Sequence, residues 1–207
     1  EMKEQIRKMI QEFEDETGVK LDDTVSTPAT GNLFKVDMTS VELDGKKSKV
    51  FHTNTAKLLY LMKRARPDIE TSVSFLIRIV SKCNNEDWVK VRRVLGFLKG
   101  TIDDVRKIGV RTLTNLLTWV DASYTVHDNM RSHMGGSMEI GLIHAKSSMN
   151  KINTKSTTEA ELLSVGEYLP YNVWFVHFME AQGYKLGDNL LFQDNKSAIL
   201  MEKNGRN

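Results

Sequence analysis

Near residue 110 the spacing of apolar residues changes, and this change limits the possible folds more than any other feature of the chain. Before it, apolar residues recur three and four positions apart, the spacing that lines one face of a helix. Ile6, Met9, Ile10 and Phe13 do so ahead of Gly18 and predict a helix over 2–17. Residues 19–50 are polar, contain Pro28, Gly31 and Gly45, and read as a long connection with a short strand at Leu33–Val36. Three helices follow. The first covers 52–65, with Leu58, Leu59, Leu61 and Met62 apolar. The second is opened by Pro67, whose missing N–H costs nothing in a first turn, with Val73, Leu76, Ile77 and Val80 inward. The third starts after Asn84, a good cap with Asp87 three residues on. It carries Trp88, Val91, Leu95 and Leu98 inward and is closed by Gly100.

Beyond residue 110 the apolar runs shorten. Leu116–Asp121 reads as a buried strand that ends on an acid, and Leu190–Asp194 as another short buried strand. Gly135-Gly136 begins a second strand region in which Met138, Ile140 and Leu142 alternate with other residues. A polar stretch from Lys146 to Lys155 leads to a helix capped by Ser156, with Glu159 as the partner of a capping box. Pro170 lacks the donor that the helical ladder needs and is expected to kink or split that helix. A last helix runs from Ser197 to about Lys203, stopped by Asn204-Gly205. Strands and helices in this order make an α/β layer pattern. Two units are therefore expected, a helical one over 1–108 and a sheet-based one over 112–207.

Composition narrows the class. The chain has 207 residues, 40% hydrophobic, enough for two small cores. No run reaches the roughly 18 apolar residues of a membrane span, and the charged start has no secretory leader, so no membrane association is expected. The sequence does not begin with Met, which implies a missing upstream portion. Cys83 is the sole cysteine, which excludes a disulfide framework and fits an intracellular setting, cytoplasm or nucleus. His127 and His133 have no cysteine partners at zinc spacing and are expected to be solvated loop residues. The net charge of +2 is unevenly spread. Residues 1–50 have 8 Lys and Arg against 11 Asp and Glu, residues 51–110 have 12 against 6, and residues 111–207 have 9 against 10. The middle third is thus the expected polyanion surface.

Asp121 and Asp194 close two strands, and Glu161 sits in the first turns of a helix. Singly, each is as well explained as a cap or a turn. Together they suggest a site, because functional groups collect beyond the carboxyl ends of strands in open α/β sheets. Clustered carboxylates repel and need a counter-charge, which hard divalent cations with oxygen ligands supply.

The words around these acids are specific. Trp119-Val120-Asp121-Ala122-Ser123-Tyr124, Lys155-Ser156-Thr157-Thr158-Glu159-Ala160-Glu161-Leu162 and Gln193-Asp194-Asn195-Lys196-Ser197-Ala198 follow in that order. They resemble the ribonuclease H domain of copia-type retrotransposons, which shows Asp-Ala, then Ser-Thr-Glu-Ala-Glu, then Asp-Asn-x-Ser-Ala. Upstream, Ala56–Leu61, Arg64–Ile69 and Val94–Thr101 resemble the end of the reverse transcriptase of the same elements. The resemblance covers about residues 25–207.

The resemblance implies a ribonuclease H-like mixed sheet with flanking helices, preceded by a helical, thumb- or connection-like end of a reverse transcriptase. It implies Asp121, Glu161 and Asp194 as catalytic metal ligands for Mg²⁺ or Mn²⁺, with two ions about 4 Å apart and carboxylates within about 8 Å of one another. Glu159 leaves its helix about 200° away from Glu161 and fits the cap instead. The implied reaction is hydrolysis of the RNA strand of an RNA–DNA hybrid, with the 2′-hydroxyl marking the RNA. Lys90, Arg92, Arg93 and Lys99 are the expected phosphate contacts, and Ser123 the expected backbone contact beside Asp121. A Tyr-x-Asp-Asp polymerase word is absent at Asp22-Asp23 and at Asp103-Asp104, so the rest of the reverse transcriptase, palm included, is expected upstream as a partner. Two departures stand out. The family has a fourth metal-binding carboxylate downstream of the Asp-Asn-x-Ser-Ala word, beyond Asn207, and the segment from Gly135 to Lys151 is shorter than the family pattern. The missing fourth acid favours the alternative reading, an inactive relic that acts only as a nucleic-acid-binding module, whereas the three visible acids favour the enzyme.

Overall fold

The computed structural model describes residues 2–105, 109 and 114–205. The chain divides into two compact units, Glu1–Arg106 and Lys107–Asn207. The limits expected at 108 and 112 lie outside the described residues.

The first unit is helical. Helix α1 spans Met2–Thr17 and buries Ile6, Met9, Ile10 and Phe13, the stripe its spacing predicts. Helix α2 spans Gly45–Arg64, seven residues longer at its start than the expected 52–65. Its extra turns come from Asp44, whose side chain accepts the Lys47 N–H, and from Val50 and Phe51, which extend the buried stripe of Leu58, Leu61 and Met62. Lys46, Lys47 and Lys49 stay exposed on the other faces, which is why this segment reads as polar connection in sequence. The strand expected at Leu33–Val36 is absent; residues 31–34 form a turn that inserts Leu33 into the core. Pro67 opens a short 3-10 turn, Pro67–Ile69, that runs into α3, Glu70–Ile79. Helix α4, Asn85–Gly100, begins with a full capping box between Asn84 and Asp87. Phe13, Phe51, Leu58, Ile69, Val73, Leu76, Val91 and Leu95 share one core.

Buried Glu14 ties this core together. It accepts from Lys20 Nζ at 2.7 Å, Lys99 Nζ at 2.8 Å and the Leu21 N–H at 2.9 Å. The two lysines and the backbone donor outweigh burial and lower its pKa to about 2.

The second unit is a four-stranded mixed sheet in the order β3-β2-β1-β4. Strands β1, Leu116–Ser123, and β2, His133–Glu139, are antiparallel, as are β2 and β3, Leu142–Met149. Strand β4, Asn189–Phe192, joins β1 in parallel. The strand region expected after Gly135 is a hairpin, and the first four residues of the polar stretch expected at Lys146–Lys155 belong to its outer strand. An edge strand tolerates polar side chains, so β3 lacks the apolar alternation that marks a strand in sequence. Helix α5, Thr157–Ala181, packs on the buried Leu116, Thr118 and Val120 of β1. It is not split at Pro170: the missing donor costs one ladder bond, and α5 continues on both sides. Helix α6, Lys196–Asn204, follows β4.

Two features fix α5 on the sheet. A Cβ at Gly136 would lie 2.5 Å from the Tyr168 ring, so only glycine lets that ring pack there. Asn172, buried in mid-helix, donates to Thr118 Oγ1 at 2.7 Å and exchanges bonds with the Asn189 amide. His127 and His133, expected in solvent, are buried and hydrogen-bonded to each other at 3.0 Å, with His133 Nε2 against Ser147 Oγ. The β2–β3 hairpin encloses them, which the sequence does not reveal.

The Glu14 clamp has a measurable pH signature. A carboxyl whose folded pKa lies below its unfolded value adds stability above the unfolded value and loses it as pH falls towards the folded one. Glu14→Gln is expected to cost about 1–3 kcal/mol at pH 7, with the difference from wild type closing between pH 4.5 and about 2. Urea unfolding of both proteins across that range checks it.

Candidate metal centre

Each acid reaches the site by a different route. Strand β1 alternates, with Leu116, Thr118 and Val120 buried under α5 and Trp119, Asp121 and Ser123 exposed. Asp121 is therefore not the last residue of its strand, and the strand continues to Ser123. The strand expected to run to Asp194 ends at Phe192 and is mostly exposed, so Asp194 stands two residues past the end of β4. The parallel register pairs Trp119 with Phe192, so Asp121 and Asp194 lie equal distances beyond paired residues and come side by side. Their rings mark that pairing, with Trp119 stacked on Phe192 at 5.3 Å between centroids. An open hollow of about 550 Å³ is lined by this stack, both aspartates, Gly135 and Gly136.

Glu161 arrives from the helix. Ser156 caps α5 by accepting the Glu159 N–H, and the Glu159 carboxylate accepts the Lys155 N–H. Glu159 thus serves the helix start, although its bond goes to Lys155 rather than to the cap residue. Two residues on, Glu161 shares the buried face of Ala160, Ser164, Val165 and Tyr168 and is 6% exposed. Oxygen atoms of Asp121, Glu161 and Asp194 lie within 4.8 Å of one another. Burial is the main cause that raises the Glu161 pKa, and Asp121 and Asp194 add to it. Hydrogen bonds from the Gln193 side chain and the Ala122 backbone pull the other way without reversing it.

Among the described residues, no Lys, Arg or His forms a salt bridge with any of the three acids. A half-buried triad of carboxylates without a counter-charge fits a hard divalent cation with oxygen ligands. The donors are all carboxylate oxygens, which favours Mg²⁺ or Mn²⁺ over softer metals.

Of the remaining expected contacts, Lys90, Arg92, Arg93 and Lys99 lie on α4 of the helical unit. Lys90 donates to the Lys35 carbonyl at 2.6 Å and to Asp87 at 3.1 Å, and it lies over the Phe75 ring. Lys99 is bound to Glu14 and to the Leu21 carbonyl. Arg93 donates to Thr27 Oγ1. Arg92 is half-buried in a groove with Trp88 and Asp44. Lys90 and Lys99 therefore hold the helical unit together, and their charge is spent there. Ser123 is exposed on the same strand face as Asp121. Sequence reasoning passed over Gln193 and the Ala122 N–H, which hold Glu161; only the position of Gln193 next to Asp194 hinted at the first, and nothing hints at a backbone donor.

The "Retrovirus-related Pol polyprotein from transposon TNT 1-94" of Nicotiana tabacum is 31% identical over 187 residues. The chain is similar to a piece of a retrotransposon polyprotein. The match takes in 87% of the chain and 14% of that relative, so the chain spans about a seventh of the polyprotein it resembles. No protein-family model matches the chain, and no solved structure does. No helix among the described residues is long and apolar enough to cross a membrane.

Mutual repulsion at the centre yields a prediction. Asp121→Asn is expected to raise the melting temperature of the metal-free protein, because it relieves Glu161 of the stronger of its two like-charge neighbours at a gain of about 0.5–1 kcal/mol. It is also expected to abolish the stabilisation that millimolar Mg²⁺ gives the wild type by binding the folded state. Melting curves of both proteins in EDTA and in Mg²⁺ check both parts.

Proposed function

We propose that the chain carries the ribonuclease H centre of a copia-type retrotransposon, behind the helical end of its reverse transcriptase, and that this centre hydrolyses the RNA strand of RNA–DNA hybrids. The observation that carries this reading is the convergence of three acids, each from its own motif word, within 4.8 Å and without a salt-bridged cation among the described residues. The similarity to a retrotransposon polyprotein supports the setting.

In this reading Asp121, Glu161 and Asp194 hold two Mg²⁺ or Mn²⁺ ions. Ions held there would supply charge neutralisation and Lewis-acid activation for phosphodiester hydrolysis. The chain's residues do the rest. Asp121 and Asp194, exposed on the open side, face the substrate, while Glu161 anchors the centre from the buried side. The hollow beside the Trp119–Phe192 stack leaves room for one strand to approach. Phosphate contacts that fix position without reading sequence fall to the half-exposed Arg92 and Arg93 and to Ser123 rather than to Lys90 and Lys99.

A hybrid-cleavage assay tests the reading on this chain and on a longer stretch of the polyprotein extending past Asn207. The longer protein is expected to cut RNA in the hybrid, to need Mg²⁺, and to leave duplex DNA intact. Asp194→Asn is expected to lower cleavage at least 100-fold, on the order of the charge stabilisation that a metal centre supplies, while hybrid binding persists and weakens steeply with salt. Equal cleavage by the variant and wild type removes Asp194 from the mechanism. Hybrid binding without cleavage by the longer wild type favours the binding module instead.

A further inference from the structure

The side-chain donor that holds Glu161 is an uncharged amide. Gln193 Nε2 donates to Glu161 Oε2 at 3.0 Å. Gln193 Oε1 accepts the Asn195 backbone N–H at 2.9 Å. Asn195 Oδ1 in turn accepts the Ala198 N–H at 3.0 Å and caps α6. A line of hydrogen bonds thus runs from the start of α6 through Gln193 to the buried acid.

This line determines which way the amide points. A backbone N–H can only donate, so it requires the carbonyl oxygen of Gln193. The amide nitrogen must then face Glu161, and an ionised carboxylate can only accept. Gln193 therefore has one orientation that satisfies both neighbours, and in it Glu161 is held by a preset donor. The chemistry of the donor matters as much as its position. A lysine or arginine at 193 would also donate to Glu161, but it could not accept the Asn195 N–H and would cancel the negative charge that attracts a cation. An amide orients the carboxylate and leaves that charge intact.

We propose that Gln193 is a positioning residue: it fixes Glu161 in the orientation that receives a divalent cation, without being a ligand itself. The proposal rests on the reading of Asp121, Glu161 and Asp194 as a metal centre. Groups that orient metal ligands in this way commonly change metal affinity about 10–100-fold when removed.

The test measures binding and needs no turnover. Mn²⁺ is titrated into the chain, and the free ion is counted by electron paramagnetic resonance for wild type, Gln193→Met, Gln193→Lys, Glu161→Gln, Asp194→Asn and the double variant Glu161→Gln with Gln193→Met. Methionine keeps the length of the side chain and removes both hydrogen bonds. Gln193→Met is expected to weaken Mn²⁺ binding about 10–100-fold. Most of that loss is expected to vanish in the Glu161→Gln background, because the effect passes through Glu161. Gln193→Lys keeps a donor and cannot leave Glu161 unheld. It is expected to raise the melting temperature of the metal-free protein and still to weaken Mn²⁺ binding, which separates positioning from a merely structural role. Wild-type affinity in Gln193→Met or in Gln193→Lys overturns the proposal, as does full additivity with Glu161→Gln. If the wild type binds no Mn²⁺, or Asp194→Asn binds it as tightly as wild type, the metal centre itself falls, and the proposal with it.

Discussion

The parallel pairing of β1 with β4 is the constraint on which the sheet-based unit depends. It is short, from Leu116 against Asn189 to Trp119 against Phe192. Its register decides everything beyond it. A slip of one residue would turn every side chain of β4 to the other face, break the Trp119–Phe192 stack and carry Asp194 away from Asp121. The register is defended on both faces. On one, the two aromatic rings stack. On the other, Asn172 of α5 bonds to Thr118 of β1 and to Asn189 of β4, so the helix checks the pairing from above.

The same packing places Glu161. Helix α5 lies against β2 through Tyr168, which fits only because Gly136 has no side chain. With that contact set, the start of the helix falls over the end of β1, and Glu161 is carried to the two aspartates. Three carboxylates then share a small volume, one of them shielded from water. This arrangement works against stability, and it is kept where like charges would otherwise drive the elements apart. A cation turns the repulsion into attraction, which links the geometry of the fold to the chemistry proposed for it.

The helical unit follows another logic. Its charges are largely turned inward or onto each other. Lys99 and Lys20 converge on Glu14, Lys90 on Asp87 and Lys35, and Arg66 on Asp68 and Thr101. A count of basic residues between 51 and 110 suggests a polyanion surface, yet much of that charge serves local ion pairs and ring contacts. Net charge along a sequence does not report whether a cation is free, because long lysine and arginine side chains reach partners far away in the chain.

Most helix starts were legible in the sequence because they are settled within one turn. Asn84 with Asp87 and Ser156 with Glu159 sit three residues apart, and their bonds form whatever the rest of the chain does. The early part of α2 was missed because its lysines hide a buried stripe, and β3 because an edge strand has no need of apolar alternation. The identities of the three acids were also legible, as words in a fixed order. Their meeting was expected too, within about 8 Å, and their oxygens lie within 4.8 Å, but no local rule shows how it comes about. It depends on the register of strands distant in the chain, on the burial of Glu161 under α5, and on an amide beside Asp194 whose orientation is set by a backbone N–H. The sequence by itself determined which local elements form and which residues carry charge. Only the tertiary structure decided which charges meet, because strand pairing and helix packing join residues that no local rule connects.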